Sequence, residues 1–344
     1  MPRYVGYMVF PGHSRYASIS KYKDMTQNLL GIDIGGTKCA VIYGVDTDGE
    51  LEIRDKVRFE TADKESTVAR IVLEAREMCL RHGLNAENTN GVGISCGGPL
   101  DSRTGVVMSP PNLPGWDNVP IVQMVQEATG IRTALQNDAN ACALAEWKYG
   151  AGRGTRNMIF LTFGTGMGAG LVLDGKLYAG TNDNAGEVGH MRLSDFGPVG
   201  YGKAGSFEGF CSGGGIAQLA ASAVKERLMM GGKVSWCPDG DLQAITAKTV
   251  AEAAAAGDSL ALGVYRTSAE YLGRTLSVLI DIINPEVIAI GSIFARAEDL
   301  IRPFMQAAID REALPAAAAV CKVKPAELGE RIGDVASLSI AASL

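Results

Sequence analysis

A strand, a glycine loop, a second strand, an Asp-Gly turn and a third strand follow one another from Leu29. The same succession returns from Asn157. In the first copy Leu29-Leu30 leads into Gly31 to Lys38. The apolar run Ala40 to Tyr43 follows, and Asp48-Gly49 marks the turn. In the second, Asn157 to Phe163 runs into Gly164-Thr165-Gly166-Met167-Gly168-Ala169-Gly170. Leu171-Val172-Leu173 and the turn Asp174-Gly175 come next. Two copies of one supersecondary unit imply an α/β fold with two related lobes facing a shared cleft. Each lobe would offer a glycine loop to that cleft.

The loops suggest what the cleft holds. Asp33 inside an apolar strand is costly unless it meets a cation or donors. Gly35 and Gly36 let backbone N–H groups converge on an anion, and Thr37 adds a hydroxyl. This is not a P-loop. Gly31 and Gly36 have the right spacing, but Thr37-Lys38 reverses the required order and no helix follows. Read alone, the stretch is either a phosphate cradle or a hairpin turn with an incidental Asp. Gly164, Gly166 and Ala169 fit a dinucleotide fingerprint on paper, but a hairpin follows where the fingerprint needs a helix. Gly91-x-Gly93 fails the same test, with Cys96 in place of the third glycine. Two glycine hairpins in matching contexts point to a pair of phosphate-clamping jaws.

Composition narrows the class. The 344 residues suggest two domains, and 47% hydrophobic content suffices for sizeable cores. The net charge of −6 is interspersed, so neither a nucleic-acid surface nor a membrane patch is expected. Seven scattered cysteines without a CxxC pair fit a reduced, cytoplasmic chain. No apolar run approaches the roughly 20 residues of a membrane span. Residues 1–28 read as an N-terminal extension with no regular period. Disorder is one expectation for it, and Met25 is an alternative start.

Leu51, Ile53, Val57 and Phe59 fall on one face of the third strand, broken by Asp55. Ser66 can cap a helix carrying Val68, Ile71, Val72, Ala75, Met78 and Cys79, which Gly83 ends. A strand over Gly91 to Cys96 runs into Gly97-Gly98-Pro99. The Pro-rich loop Ser109 to Trp116 holds Asn112. Asn137-Asp138 ends a strand just before a helix over Ala139 to Tyr149. Asp is a preferred N-cap there, and the helix dipole would also keep an accepting base ionised; the two roles are compatible. The polar loop Asn182 to Arg192 contains Glu187 and His190, either a site histidine or a satisfied structural one. Glu208 lies among glycines and aromatics between Phe196 and Gly215. Helices are expected over Gly215–Met229, Thr249–Ala256, Ser259–Ile283 and Glu298–Glu312. Strands are expected over Val287–Ile290 and Val320–Val323, and a closing helix over Gly333–Leu344.

With these residues placed, the chain resembles the sugar kinases of the ROK family, glucokinases among them. That family belongs to the actin-like, ribonuclease-H-like ATPases. The resemblance covers Leu29 to Leu344. It rests on Asp33-Ile34-Gly35-Gly36-Thr37-Lys38, Gly98-Pro99-Leu100-Asp101, Asn112-Leu113-Pro114-Gly115-Trp116 and Asn137-Asp138-Ala139-Asn140-Ala141. Gly164-Thr165-Gly166-Met167-Gly168 and Gly186-Glu187-Val188-Gly189-His190 complete it, all in family order. It implies a two-lobed actin-like fold, with residues 29–137 plus 331–344 as the small lobe and 138–330 as the large one.

The resemblance also implies roles. Asp138 would be the general base that takes the proton from a hexose primary hydroxyl. Gly98, Asn112, Asn137, Glu187, His190 and Glu208 would hold the sugar. Gly35, Gly36, Thr37, Lys38, Thr165, Gly166 and Gly168 would hold the phosphates of ATP, with Gly291 beside the adenosine. Asp33 would place Mg²⁺, through water. Glucose is the first expected sugar, ahead of N-acetylmannosamine, mannose and fructose; polyphosphate remains an alternative donor. A homodimer or homotetramer is implied.

One departure stands out. Family kinases carry a zinc loop, CxCGxxGCxE, and its cysteine positions here are Val199, Tyr201 and Ser206. A structural zinc takes about four ligands, so no zinc is expected; packing by Tyr201, Phe207 and Phe210 is expected instead. The family's repressors carry an N-terminal helix-turn-helix domain, and residues 1–28 show no paired-helix pattern. A catalytically inactive sugar sensor is the remaining alternative.

Overall fold

The computed structural model describes residues 26–344; the expectations for the N-terminal arm and for Met25 lie outside the described residues. Strands β1 (Thr26–Ile34), β2 (Lys38–Thr47), β3 (Glu50–Glu60) and β4 (Thr89–Cys96) form one sheet with Thr133–Asn137. Its order is β3-β2-β1-β4 and then Thr133–Asn137. The first three strands are antiparallel, and β1, β4 and the last are parallel. The second sheet repeats this plan. Lys176–Leu177, Met167–Leu173 and Met158–Phe163 are antiparallel, and Val287–Ile290 and Lys322–Pro325 add in parallel. In both sheets the strand that opens the glycine hairpin is the central one. The duplication in the sequence is a duplication of whole sheets.

Helices α1 (Lys64–His82) and α2 (Ile121–Thr129) cover the outer face of the first sheet. Ser66 does not cap α1. Asp63 does, its carboxylate accepting from the Ser66 N–H at 2.9 Å, so Ser66 supplies a donor already inside the first turn. Gly83 ends the helix in the left-handed region, as expected.

The expected apolar face of β3 is also corrected. The register shifts between Tyr43 and Gly44 of β2, so Tyr43 pairs with Asp55 but Gly44 pairs with Ile53. This bulge inverts the faces. Val57 and Phe59 pack towards α1, while Leu51 and Ile53 pack with Leu338 on the opposite side. Asp55 is no interruption: it accepts from Arg81 at 2.6 Å and bonds His82 at 2.8 Å. The late strand forms at Lys322–Pro325, two residues after its expected start, because Pro315–Ala318 makes a helical turn first.

Helix α3 (Asp138–Tyr149) and the closing helix Ile332–Ala341 pack on each other between the two sheets. Small residues allow the close approach. A Cβ on Gly31 or Gly93 would overlap Ser337 of the closing helix, and one on Gly170 would meet Ala139 and Ala143 of α3. Ala143 also packs with Met158, Phe160 and Val172, seating α3 on the second sheet.

A buried carboxylate locks this layer. Glu146 of α3, fully buried, accepts from Ala151 N at 2.8 Å, Glu327 N at 3.1 Å and Leu328 N at 2.9 Å. It fastens α3 to the segment that leads into the closing helix. Glu146→Ala would strand two buried donors, Ala151 N and Leu328 N, each costing about 1–3 kcal/mol, and free the part-buried Glu327 N. We expect a loss of about 3–5 kcal/mol in urea unfolding, against a much smaller loss for Glu65→Ala on exposed α1. Among the described residues no helix is long and apolar enough to cross a membrane.

Candidate active site

The strand Thr133–Asn137 delivers Asp138 to the first turn of α3. The cap is Asn137, not Asp138: the Asn137 Oδ1 accepts from Ala139 N at 2.9 Å. Asp138 Oδ1 accepts from the same N–H at 2.8 Å, and Oδ2 has no protein partner among the described residues. Asp138 is therefore relieved of the capping role and points one oxygen outward. Burial raises its carboxyl above the ordinary range, opposed by the backbone donor at Ala139.

A cavity of about 390 Å³ opens beside it, lined by Gly98, Asn137, Glu187, His190 and Glu208 among others. Five of the six expected sugar-contacting residues are thus brought together from segments remote in sequence. Asn112 is the exception. It is exposed, lies against Gly97 and Gly36, and is not part of the lining, where its neighbour Pro111 stands instead. Glu208 reaches both ways: it lines the cavity, and its Oε2 accepts from Met167 N at 3.0 Å. It ties the cavity to the second glycine hairpin.

Two lining residues carry functional geometry that the sequence reading did not single out. Asp183, in the left-handed region at φ 61°, accepts from Ser102 N at 2.8 Å and from Ser102 Oγ at 2.7 Å. It joins the segment after Pro99 to the second half of the chain across the cavity mouth. Asp183 sits in the polar loop already noted, but its partner is 81 residues away and leaves no local signal. Tyr201 is the other, expected only as loop packing.

The glycine hairpins present unpaired donors. The N–H groups of Gly36 and Thr37 in the first loop, and of Thr165 and Gly166 in the second, make no hydrogen bond among the described residues. Gly35 and Gly168 differ from expectation. The Gly35 N–H closes its own turn on Lys38 O at 3.1 Å, and the Gly168 N–H binds Thr162 Oγ1 at 2.8 Å across the hairpin, on the neighbouring strand. Neither N–H is free for a ligand, and only at Gly35 would a Cβ be crowded, by Lys38 O. Lys38 is exposed and forms no ion pair among the described residues.

Asp33 lies near the first loop with no hydrogen-bond partner for its carboxylate among the described residues. Burial, then the Asp334 and Asp138 carboxylates, raise its pKa to about 6, against the pull of Lys56 and Arg58. Asp33 makes no direct ion pair among the described residues, Lys56 being paired with Asp334. Among the described residues no group of three His, Cys, Asp or Glu side chains is disposed to hold a metal by itself.

A second cavity, of about 440 Å³, lies past the second hairpin and is lined by Thr162, Gly164, Gly291, Ser292, Arg296 and Ile332, among others. Gly291, expected beside a nucleoside, is there with Gly164. Ser292 takes φ 52°, a strained value for a non-glycine residue and the kind of outlier that gathers at functional sites.

The region without the family's cysteines is ordered by main chain. Val199–Gly200 pairs with Lys203–Ala204, Leu193 N donates to Gly205 O at 2.8 Å, and Phe207 N to Met191 O at 2.8 Å. Ser206 is buried and caps the Phe207–Cys211 helix through Gly209 N. Phe207 and Phe210 pack inside, Phe210 stacking on Tyr271 at 3.6 Å. Tyr201 does not join them: it is 74% exposed, because the hairpin carries it outward over the cavity. Cys211 is buried, its thiol facing the Ser268 carbonyl.

The ROK family profile matches residues 29–343. The chain belongs to the ROK family. The glucokinase of Halalkalibacterium halodurans is 33% identical over 310 residues, covering 89% of this chain and 92% of that protein. The crystal structure of a ROK family glucokinase from Streptomyces griseus, in complex with glucose and AMPPNP, superposes with a TM-score of 0.70 at 28% identity. It covers 92% of this chain and 100% of that one. The DNA-binding transcriptional repressor Mlc of Escherichia coli is 27% identical over 274 residues, covering 79% of this chain and 65% of that protein. The paired sheets with two helices between them are the actin-like ATPase fold of ROK kinases.

Proposed function

We propose that this ROK protein transfers the terminal phosphoryl group of ATP to the primary hydroxyl of a glucose-like hexose. The observation that carries the reading is Asp138: a solvent-reachable carboxylate that follows the cavity-lining Asn137, with one oxygen held by Ala139 N and the other free of partners among the described residues. The similarity to glucokinases supports sugar phosphorylation as the activity.

The chemistry follows from the placement. The sugar occupies the first cavity, held by Glu187, His190, Glu208, Asn137 and the Gly98 backbone, with Asn112 reaching it on closure. The unpaired N–H groups of Gly36, Thr37, Thr165 and Gly166 receive the phosphates, aided by Lys38. The nucleoside lies in the second cavity beside Gly291. Asp138 Oδ2 accepts the hydroxyl proton while the sugar oxygen forms the new P–O bond and the bond to ADP breaks. Positioning and charge neutralisation dominate such transfers, and the base contributes a smaller factor.

The Asp33 carboxylate, which makes no direct ion pair among the described residues, fits a hard cation, since Mg²⁺ is commonly bound by one or two carboxylates together with substrate phosphates. When bound there, Mg²⁺ supplies charge neutralisation on the transferred group. Zinc does not fit. The loop offers His190 alone, and Ser206 is committed to Gly209 and Gly200. Residues 29–137 with 331–344, and residues 138–330, form the two lobes whose closure excludes water. Asp183 and Ser102 meet across that closure.

A second reading is a sugar-binding regulator without turnover, favoured by the similarity to Mlc and the altered loop. A coupled ADP-release assay with MgATP and a panel of glucose, mannose, N-acetylmannosamine and fructose separates the two. Sugar-dependent ADP release, largest with glucose, is expected. Saturable sugar binding without ADP release would establish the regulator instead.

A further inference from the structure

The hairpin that stands in the cysteine-loop position reaches into the sugar site. Tyr201 forms its tip, between Val199–Gly200 and Lys203–Ala204, at φ 44°. A bulky residue in this region is a genuine outlier, whereas Gly202 beside it adopts φ 76° freely. Packing does not account for the strain, because the ring is 74% exposed. Its close aromatic contact is His190. The two rings meet edge to face, centroids 5.2 Å apart at 76°, a favourable geometry for aromatic pairs.

The same hairpin holds the His190 backbone. Lys203 Nζ donates to the His190 carbonyl at 2.7 Å. His190 ends the short turn Val188–His190, and its imidazole makes no hydrogen bond among the described residues. It therefore lines the cavity with both ring nitrogens unspent. A ring meant to bind a hydroxyl needs its orientation fixed by something else. The Tyr201 ring is the aromatic group that meets the imidazole, while the Lys203 ammonium holds the backbone carbonyl beneath it.

We propose that Tyr201 is a positioning residue for the sugar. Its ring aims the His190 imidazole into the cavity, the task a metal on His190 would otherwise perform, and the Val199–Ala204 hairpin thereby sets sugar preference. The inference rests on the sugar-site assignment above but not on turnover.

Calorimetric titration of glucose tests it with wild type, Tyr201→Ala, Tyr201→Phe, His190→Ala and the double variant. Tyr201→Ala should weaken glucose binding about fivefold, in the range that one aromatic pair is worth. Tyr201→Phe should restore it. In the His190→Ala background, Tyr201→Ala should add nothing. Melting temperatures should not fall, since an exposed, strained residue is being replaced. In turnover, the glucose KM should rise more than kcat falls, with the ATP KM unchanged. Unchanged glucose affinity in Tyr201→Ala would overturn the proposal, as would an equal loss in the His190→Ala background. If wild type binds glucose but releases no ADP, the kinase reading fails while the titrations still decide the role of Tyr201. If it binds no hexose of the panel, both fall.

Discussion

Asp138→Asn will lower kcat by about 10²–10⁴-fold, the usual contribution of a general base, while glucose affinity stays near the wild-type value. The amide oxygen can still accept from Ala139 N, as Asp138 Oδ1 does at 2.8 Å, and Asn137 still caps α3. The fold and cavity wall survive; the proton acceptor does not. The pH profile sharpens the expectation. Burial raises the Asp138 carboxyl above its ordinary range, so wild-type activity should fall on the acid side at a pH higher than a solvated aspartate would give. The residual activity of Asp138→Asn should lack that limb. Steady-state kinetics from pH 5 to 9, with parallel calorimetry, measure both. Near-normal turnover would remove Asp138 from the mechanism.

Asp33→Asn should abolish most activity yet stabilise the protein above pH 7. The carboxyl titrates at about 6 in the folded chain, against a reference value of 3.8. Its pKa is raised on folding, so the folded state holds the proton more tightly. The group imposes no charge penalty below the unfolded value, and the penalty grows as pH rises through 6. By linkage it approaches about 3 kcal/mol once both states are ionised. Asparagine removes the buried charge and its repulsion with Asp334 and Asp138. The melting temperature should therefore rise by a few degrees at pH 8, with the gain fading towards pH 4. Thermal melts at the two pH values check this. A destabilisation of equal size at both would show that Asp33 serves packing and not charge.

That trade-off is what a site carboxylate should show, and the sequence already hinted at it, since Asp33 interrupts an apolar strand. Much else was legible for similar local reasons. The Ser259–Ile283 helix forms over its expected span and stops at Asn284 in the left-handed region; its Asp258 cap emerges only from the structure. The duplicated hairpins announced the duplicated sheets, because turn residues and apolar runs fix local pairing.

What the sequence left hidden depends on contacts between distant segments. The β3 bulge lies at Gly44, where an added Cβ would meet Leu338 of the closing helix, a neighbour far away in sequence. The cap at Asn137 instead of Asp138 turns on a one-residue shift that local preference cannot resolve, both residues being good caps. Asn112 and Gly168 match the family pattern, yet one stands outside the cavity lining and the other spends its N–H on the Thr162 hydroxyl of the neighbouring strand. Pattern identifies residue types; only packing shows which donors remain unpaired. The pairing of Asp183 with Ser102 and the contact of Tyr201 with His190 belong to the same class.

Phosphorus and carbon NMR of the product formed from glucose and MgATP tests phosphoryl transfer to the primary hydroxyl most directly. A phosphate ester whose phosphorus couples to carbon 6, formed in step with ADP and absent with Asp138→Asn, is the expected result. An ester at another carbon, or inorganic phosphate alone with glucose unchanged, would contradict it.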